Sequence, residues 1–193
     1  MRIEMLKSND NVSVVGFSEI QNSNKLNQNE LIDLSKSLST DSLTVQLMNG
    51  LLIADDIHLL SAAQNAVNAF SGNYMLSRTL DVELIVFASA QRQIGKALEE
   101  FGVHDDLDHV AAVVIDENQR SVEDTLEKIT KTIGKEFPIP FEASQERFER
   151  VKKYFDIDEK EIEVFTNSND IIERQNALAK CVVSRVSLVA IEN

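Results

Sequence analysis

The sequence predicts a mixed α/β protein of the α+β kind, with a small mixed β-sheet packed by several helices and a helical C-terminal part, in a single domain spanning residues 1–193. Three observations carry this. Short β-branched runs bounded by turn residues recur along the first part of the chain. Apolar residues at spacings of three and four recur between and after them. No internal repeat, low-complexity tract or flexible linker interrupts the chain, and Pro138 and Pro140 mark a break too short for a domain boundary.

The elements follow in order. MRIEML and VSVVGFSEI, the latter from Val12, read as strands separated by a turn over Ser8 to Asn11. After a polar loop, Leu31, Leu34 and Leu38 keep helical spacing. SLTVQLMN is a strand candidate. Asp55 or Asp56 can cap the next helix, which runs through Ile57, Leu60, Ala63, Val67 and Phe70 to a left-handed stop at Gly72. SRTLDVELIVFASA fits strand alternation and helical spacing equally well. RQIGKALEEFG is a short helix closed by Gly102, and HVAAVVID is a buried strand. SVEDTLEKITKTIG opens on a capping-box-like pair, Ser121 and Asp124. ASQERFERVKKYF and EKEIEVF are helical, and a long last helix starts near Asp170.

Composition narrows the function. Apolar residues make up 43% of the chain, enough for a sizeable core. No run is long and apolar enough to span a bilayer, and the first ten residues are too short and polar for a signal peptide, so the expected location is the cytoplasm. The net charge of −13 disfavours broad nucleic-acid binding but leaves room for a small local site or a protein partner. Cys181, the only cysteine, lies in an apolar helical run and reads as a small buried hydrophobe.

Motifs for catalysis are missing together: there is no phosphate loop, GxGxxG, nucleophile elbow or HExxH. A binding protein without cofactor or small-molecule substrate is therefore expected. HDDLDH, His104 to His109, supplies one alternative, a small metal-dependent cytosolic enzyme, and the acidic charge another, a purely protein-binding regulatory module. The same residues are ordinary turn formers between a helix stop and a strand. His58, with no second histidine or cysteine at helical spacing, reads as structural. From Ser71 to Leu98, Arg78, Arg92 and Lys96 outnumber Asp81 and Glu83 by one, a local reversal of the acidic field.

Several of these segments together resemble the small kinase-binding subunit of the KEOPS complex, the TPRKB family. The match is carried by Ser77, Arg78, Thr79, Leu80 and Glu83, then Gln93, Ile94, Ala97 and Leu98, then Phe101, Gly102 and Val103, followed by a hydrophobic strand. KCVVSRVSL, with Arg185, resembles the family's last helix. Ala90-Gln91 departs from the family's Gly-Thr or Pro-Asn.

The resemblance implies a helix at SRTLDVELIVFAS and a non-catalytic role. The KEOPS complex makes the threonylcarbamoyl modification on adenosine 37 of tRNA. The subunit binds and stimulates the small kinase/ATPase subunit and helps capture the 3′ CCA end. A tRNA contact is expected at Ser77, Arg78, Arg92, Gln93 and Lys96, where the acidic field reverses. The kinase-binding set is expected on the last helix, at Cys181, Val182, Arg185, Val186 and Val189. With Leu178 as zero, the apolar residues of that helix cover an arc of roughly 220°, from about 140° on one side to about 80° on the other. One core requires little more than about 100°, so a second face must be buried, within the fold or against a partner.

Overall fold

The computed structural model describes residues 1–8 and 11–190. Asn9 and Asp10, in the turn expected between the first two strands, lie outside the described residues. Five strands form one sheet: β1 (Arg2–Ser8), β2 (Asn11–Gln21), β3 (Thr44–Asn49), β4 (His109–Asp116) and the two-residue β5 (Lys135–Glu136). The order is β1-β2-β4-β3, and β5 pairs with β2 beyond the end of β1. Every pair among the described strands is antiparallel, so the sheet within the expected α/β class is not mixed. Eight α-helices are described: α1 (Gln28–Leu38), α2 (Asp56–Ser71), α3 (Leu80–Ala88), α4 (Ile94–Phe101), α5 (Gln119–Ile133), α6 (Gln145–Tyr154), α7 (Glu159–Glu163) and α8 (Ile171–Leu188). None is long and apolar enough to cross a membrane.

The sheet is covered on both faces, which is why β4 reads as an unbroken apolar run. Val110, Ala112 and Val114 face one core with Leu31 of α1 and Val122, Leu126 and Ile129 of α5. Ala111, Val113 and Ile115 face the other, with α2, α3, α6 and α8. Gly16 lets α5 settle on β2: a Cβ there would stand 2.5 Å from Val122 and 2.6 Å from Leu126.

Helix α3 shows why period failed in its segment. Residues Glu83 to Ala88 are buried without a break, so no polar face exists to set a phase. Its N-terminal turn is secured by a residue that sequence reasoning left without a role. The Glu83 carboxylate, fully buried, accepts from the backbone N–H groups of Leu76 (3.1 Å) and Ser77 (2.8 Å). Thr79 occupies the N-cap position but makes no side-chain cap. Of three further expectations the first holds, and the other two shift by one to three residues. Asp55 caps α2 through His58 N–H (3.0 Å). Gly72 ends that helix at φ −86°, and Asn73 takes the left-handed position at φ 55°. Asn118, not Ser121, caps α5, while the Ser121 hydroxyl donates to Asp116 (2.8 Å).

His58 lies wholly inside the α2–α3–α4 core, between the rings of Phe101 and Phe155. Its Nε2 donates to the Ala88 carbonyl (2.8 Å), and Nδ1 accepts from the Ala54 N–H (3.2 Å). Burial pulls its pKa from 6.5 down to about 4, against the smaller opposing pull of the Ala88 carbonyl. The unfolded chain then takes up a proton near pH 6.5 that the native state refuses until about pH 4. Stability should therefore fall as pH drops through that window, by about 3 kcal/mol in all. The His58→Gln variant should lose this slope, and the ring's NMR shifts should stay those of neutral imidazole down to about pH 4. A ring that titrates near 6.5 would contradict it.

Candidate binding cavities at the two ends of one helix

The residues expected to contact tRNA do not form one site. Arg78 precedes α3 and Arg92 follows it, and the nine residues of that helix alone separate them by about 14 Å. Arg78 lines a cavity of about 590 Å³ together with Phe70, Thr79 and Leu80. Arg78 is exposed, and Phe70, 58% exposed, lines the same cavity as an open apolar side chain. Ser39, Thr40 and Ser42 bring hydroxyl groups to the same cavity. Its remaining charges, Asp41, Asp81, Asp116 and Glu117, are all acidic. Ser77 is committed to its own turn, with its hydroxyl donating to the Thr79 carbonyl (2.9 Å).

At the other end, Arg92 and Lys96 line a second cavity, of about 410 Å³, between the start of α4, the turn after α6 and the end of α8. Gln93, the exposed N-cap position of α4, makes no side-chain cap there. Arg185, Leu188 and Val189 of the last helix line the same cavity. Two residues expected at the tRNA, Arg92 and Lys96, and two expected at the kinase, Arg185 and Val189, are thus brought together. Arg92 is already engaged within the fold, where its Nη1 donates to the Val189 carbonyl (2.9 Å), one of the carbonyls left open at the end of α8. Lys96 lies 3.9 Å from Glu100, and Arg185 pairs with Glu161 of α7 at 2.8 Å.

The kinase-binding set needs correction. Cys181, Val182, Val186 and Val189 are buried inside the protein's own fold, with Val182 and Val186 at 0% exposure. The wide apolar arc of α8 is consumed by contacts with α2, α3, α6 and α7, which surround most of it. Cys181 sits against the Glu161 carbonyl (3.6 Å), and burial raises its thiol pKa. Of the five residues, only Arg185 keeps a partly open side chain, and Leu188, 43% exposed, is the apolar neighbour that remains outside.

The HDDLDH cluster is dispersed over separate partners. His104 Nδ1 donates to the Asp105 carbonyl (2.8 Å), Asp105 accepts from Gln28 N–H (3.0 Å), and Asp108 pairs with Lys25 (2.6 Å). His109 turns inward to Glu19 (2.8 Å) and stacks on Phe137. Among the described residues no three such side chains converge to hold a metal.

Residues 17–190 match the family described as kinase binding protein CGI-121. The chain belongs to that family. This is the kinase-binding family that the Ser77–Glu83, Gln93–Val103 and Arg185 segments resemble. The CGI-121 match takes in the whole cavity at the end of α8, the Arg78 cavity except for Ser13, and the sheet from the second part of β2 onward, without β1. The family thus binds a kinase, and its members' partner surface has to be sought among side chains that this fold leaves outside.

Proposed function

We propose that the chain is the non-catalytic accessory subunit of a KEOPS-type complex that places threonylcarbamoyladenosine in tRNA. It binds and stimulates the small kinase/ATPase subunit and helps bring tRNA by its 3′ CCA end. The observation that carries the kinase role is the family match together with the cavity at the end of α8, where Arg185 and Leu188 stay accessible beside Arg92 and Lys96. An arginine whose stem lies on apolar neighbours and whose head is partly open is the usual form of an interface anchor. Arg185→Glu should weaken kinase pull-down about thirtyfold, while the melting curve stays near that of the parent. Undiminished binding by the folded variant would place the interface elsewhere.

The tRNA role is carried by Arg78 and Phe70, an exposed cation and an exposed aromatic side chain lining one cavity. A single-stranded end can be held by one or two phosphate contacts with a base stacked on a ring. The four acidic residues around the cavity restrict such a contact to a terminal nucleotide or two. Arg78→Glu and Phe70→Ala should each lower affinity for tRNA, by about tenfold for the stacking residue, without affecting kinase binding. Gel shifts at fixed salt check this. Equal affinity for tRNA with and without its 3′ CCA would remove the contact from this cavity.

A further inference from the structure

The cavity at the end of α8 has a charge unlike the rest of the molecule. Its charged lining is Arg92, Lys96, Arg185 and Asp156, three cations and one carboxylate, or +2, in a chain of −13. Arg92 and Lys96, four residues apart, meet Arg185 only through the fold. Two of them already hold carboxylates, Lys96 with Glu100 at 3.9 Å and Arg185 with Glu161 at 2.8 Å. Both pairs are partly exposed, with side-chain exposures of 48% and 38%, and 32% and 35%. Such pairs contribute little to stability and exchange readily for an incoming carboxylate. The apolar lining is Leu188, Val189 and Phe155.

We infer that this cavity receives an acidic segment of a protein partner. One or two of its carboxylates replace Glu161 and Glu100 on Arg185 and Lys96, and an apolar side chain beside them packs on Leu188. The inference rests on the reading that a protein partner docks at the end of α8, and adds the chemistry of what docks. A peptide suits the lining better than RNA does. The Tyr154 and Phe155 rings are set against each other (4.8 Å, 79°) and against Phe101 and His58, so Phe155, 7% exposed, offers no ring face to a base and Tyr154 is partly covered. The exposed Leu188 beside these cations gives a peptide's apolar side chain a contact that a phosphate backbone cannot make.

The test uses the full chain and a defined probe, the acetylated and amidated peptide Glu-Glu-Leu-Glu-Glu, followed by amide NMR shifts. The peptide should move the Lys96, Arg185 and Leu188 signals, and the shifts should vanish in a folded Lys96→Glu/Arg185→Glu variant. Kinase affinity, measured by calorimetry, should fall with added salt and drop in that variant by more than the roughly thirtyfold expected of Arg185→Glu alone, while Arg185→Lys retains most of it. Absent shifts, shifts elsewhere, or the same amides moved by the trinucleotide CCA in place of the peptide would overturn the inference. Kinase binding lost in Leu188→Asp but unchanged in the double charge variant would overturn it while leaving docking at α8 intact. Peptide shifts at these amides with no kinase binding by the parent protein would uphold it and remove the kinase as the occupant.

Discussion

Val182→Asp is expected to leave the protein unfolded. The side chain has no exposure, and it lies in the core where α8 packs on α2, α3, α6 and α7. A carboxylate placed there has no cation in the surrounding apolar cluster, and burying it costs several kcal/mol against a typical total stability of about 5–15 kcal/mol. Val182→Ala, which only removes apolar contact, should cost about 2 kcal/mol and still fold. Leu188→Asp, about one and two-thirds turns further on but 43% exposed, should melt close to the parent. Circular dichroism separates the three. A folded Val182→Asp protein would mean that this face of α8 opens outward after all, which would return Val182 to the interface set.

The second large effect lies in a buried ion pair that sequence reasoning did not single out. Glu19 of β2 and Arg147 of α6, 1% and 6% exposed, meet at 2.6 Å. The other guanidinium nitrogen of Arg147 donates to the carbonyls of Gly50 (2.6 Å) and Ile53 (3.0 Å), on the crossing from β3 to α2. Glu19 also accepts from His109 (2.8 Å) and from the Phe141 N–H (2.5 Å). Arg147→Leu strands that carboxylate in the interior and should cost about 3–5 kcal/mol. The pH dependence identifies the cause. Burial alone would push the Glu19 pKa up, but His109, Arg147 and Phe141 together hold it below 4.5. A carboxylate with a depressed native pKa contributes stability above pH 4.5 and loses it as pH falls towards the native value. Without Arg147 the main cationic support is gone, burial dominates, and protonation then favours the variant's native state. The stability gap between parent and variant should therefore narrow on acidification. A gap that stays constant with pH would show that Arg147 acts by packing alone. In the double variant Glu19→Leu/Arg147→Leu the two costs should not add, because neither charge is then stranded.

The legible parts of the chain were those whose environment repeats along it. β4, apolar on both faces, and α5, apolar on one, announced themselves by runs and by spacing. α3 could be placed only through the family resemblance, because a helix buried all round has no phase to read. The wide arc of α8 correctly signalled two buried faces, but arc width cannot tell an intramolecular neighbour from a foreign one. Arg185 and Leu188 stand out only once the neighbours are known. Phe70 escaped notice because it fits the core spacing of α2, yet its ring lies past the end of the packed face. Glu19 and Arg147 are 128 residues apart, and no local pattern joins them.

The strand order has a consequence for how the chain reaches its fold. β4 is made long after β2 and β3, yet it lies between them, and among the described residues β3 has no other strand partner. Until residue 109 has been synthesised, β3 can pair with nothing and β2 only with its hairpin neighbour β1. Both edges that β4 will fill stay open, and both cores lack their shared wall. The late arrival of the central strand makes closure a non-local event, in which a loop of nearly ninety residues between the ends of β2 and β4 must be brought together at once. Collapse of the two layers is therefore expected as one cooperative step. A ribosome-bound chain ending before β4 would present those unpaired edges to chaperones rather than a half-built domain.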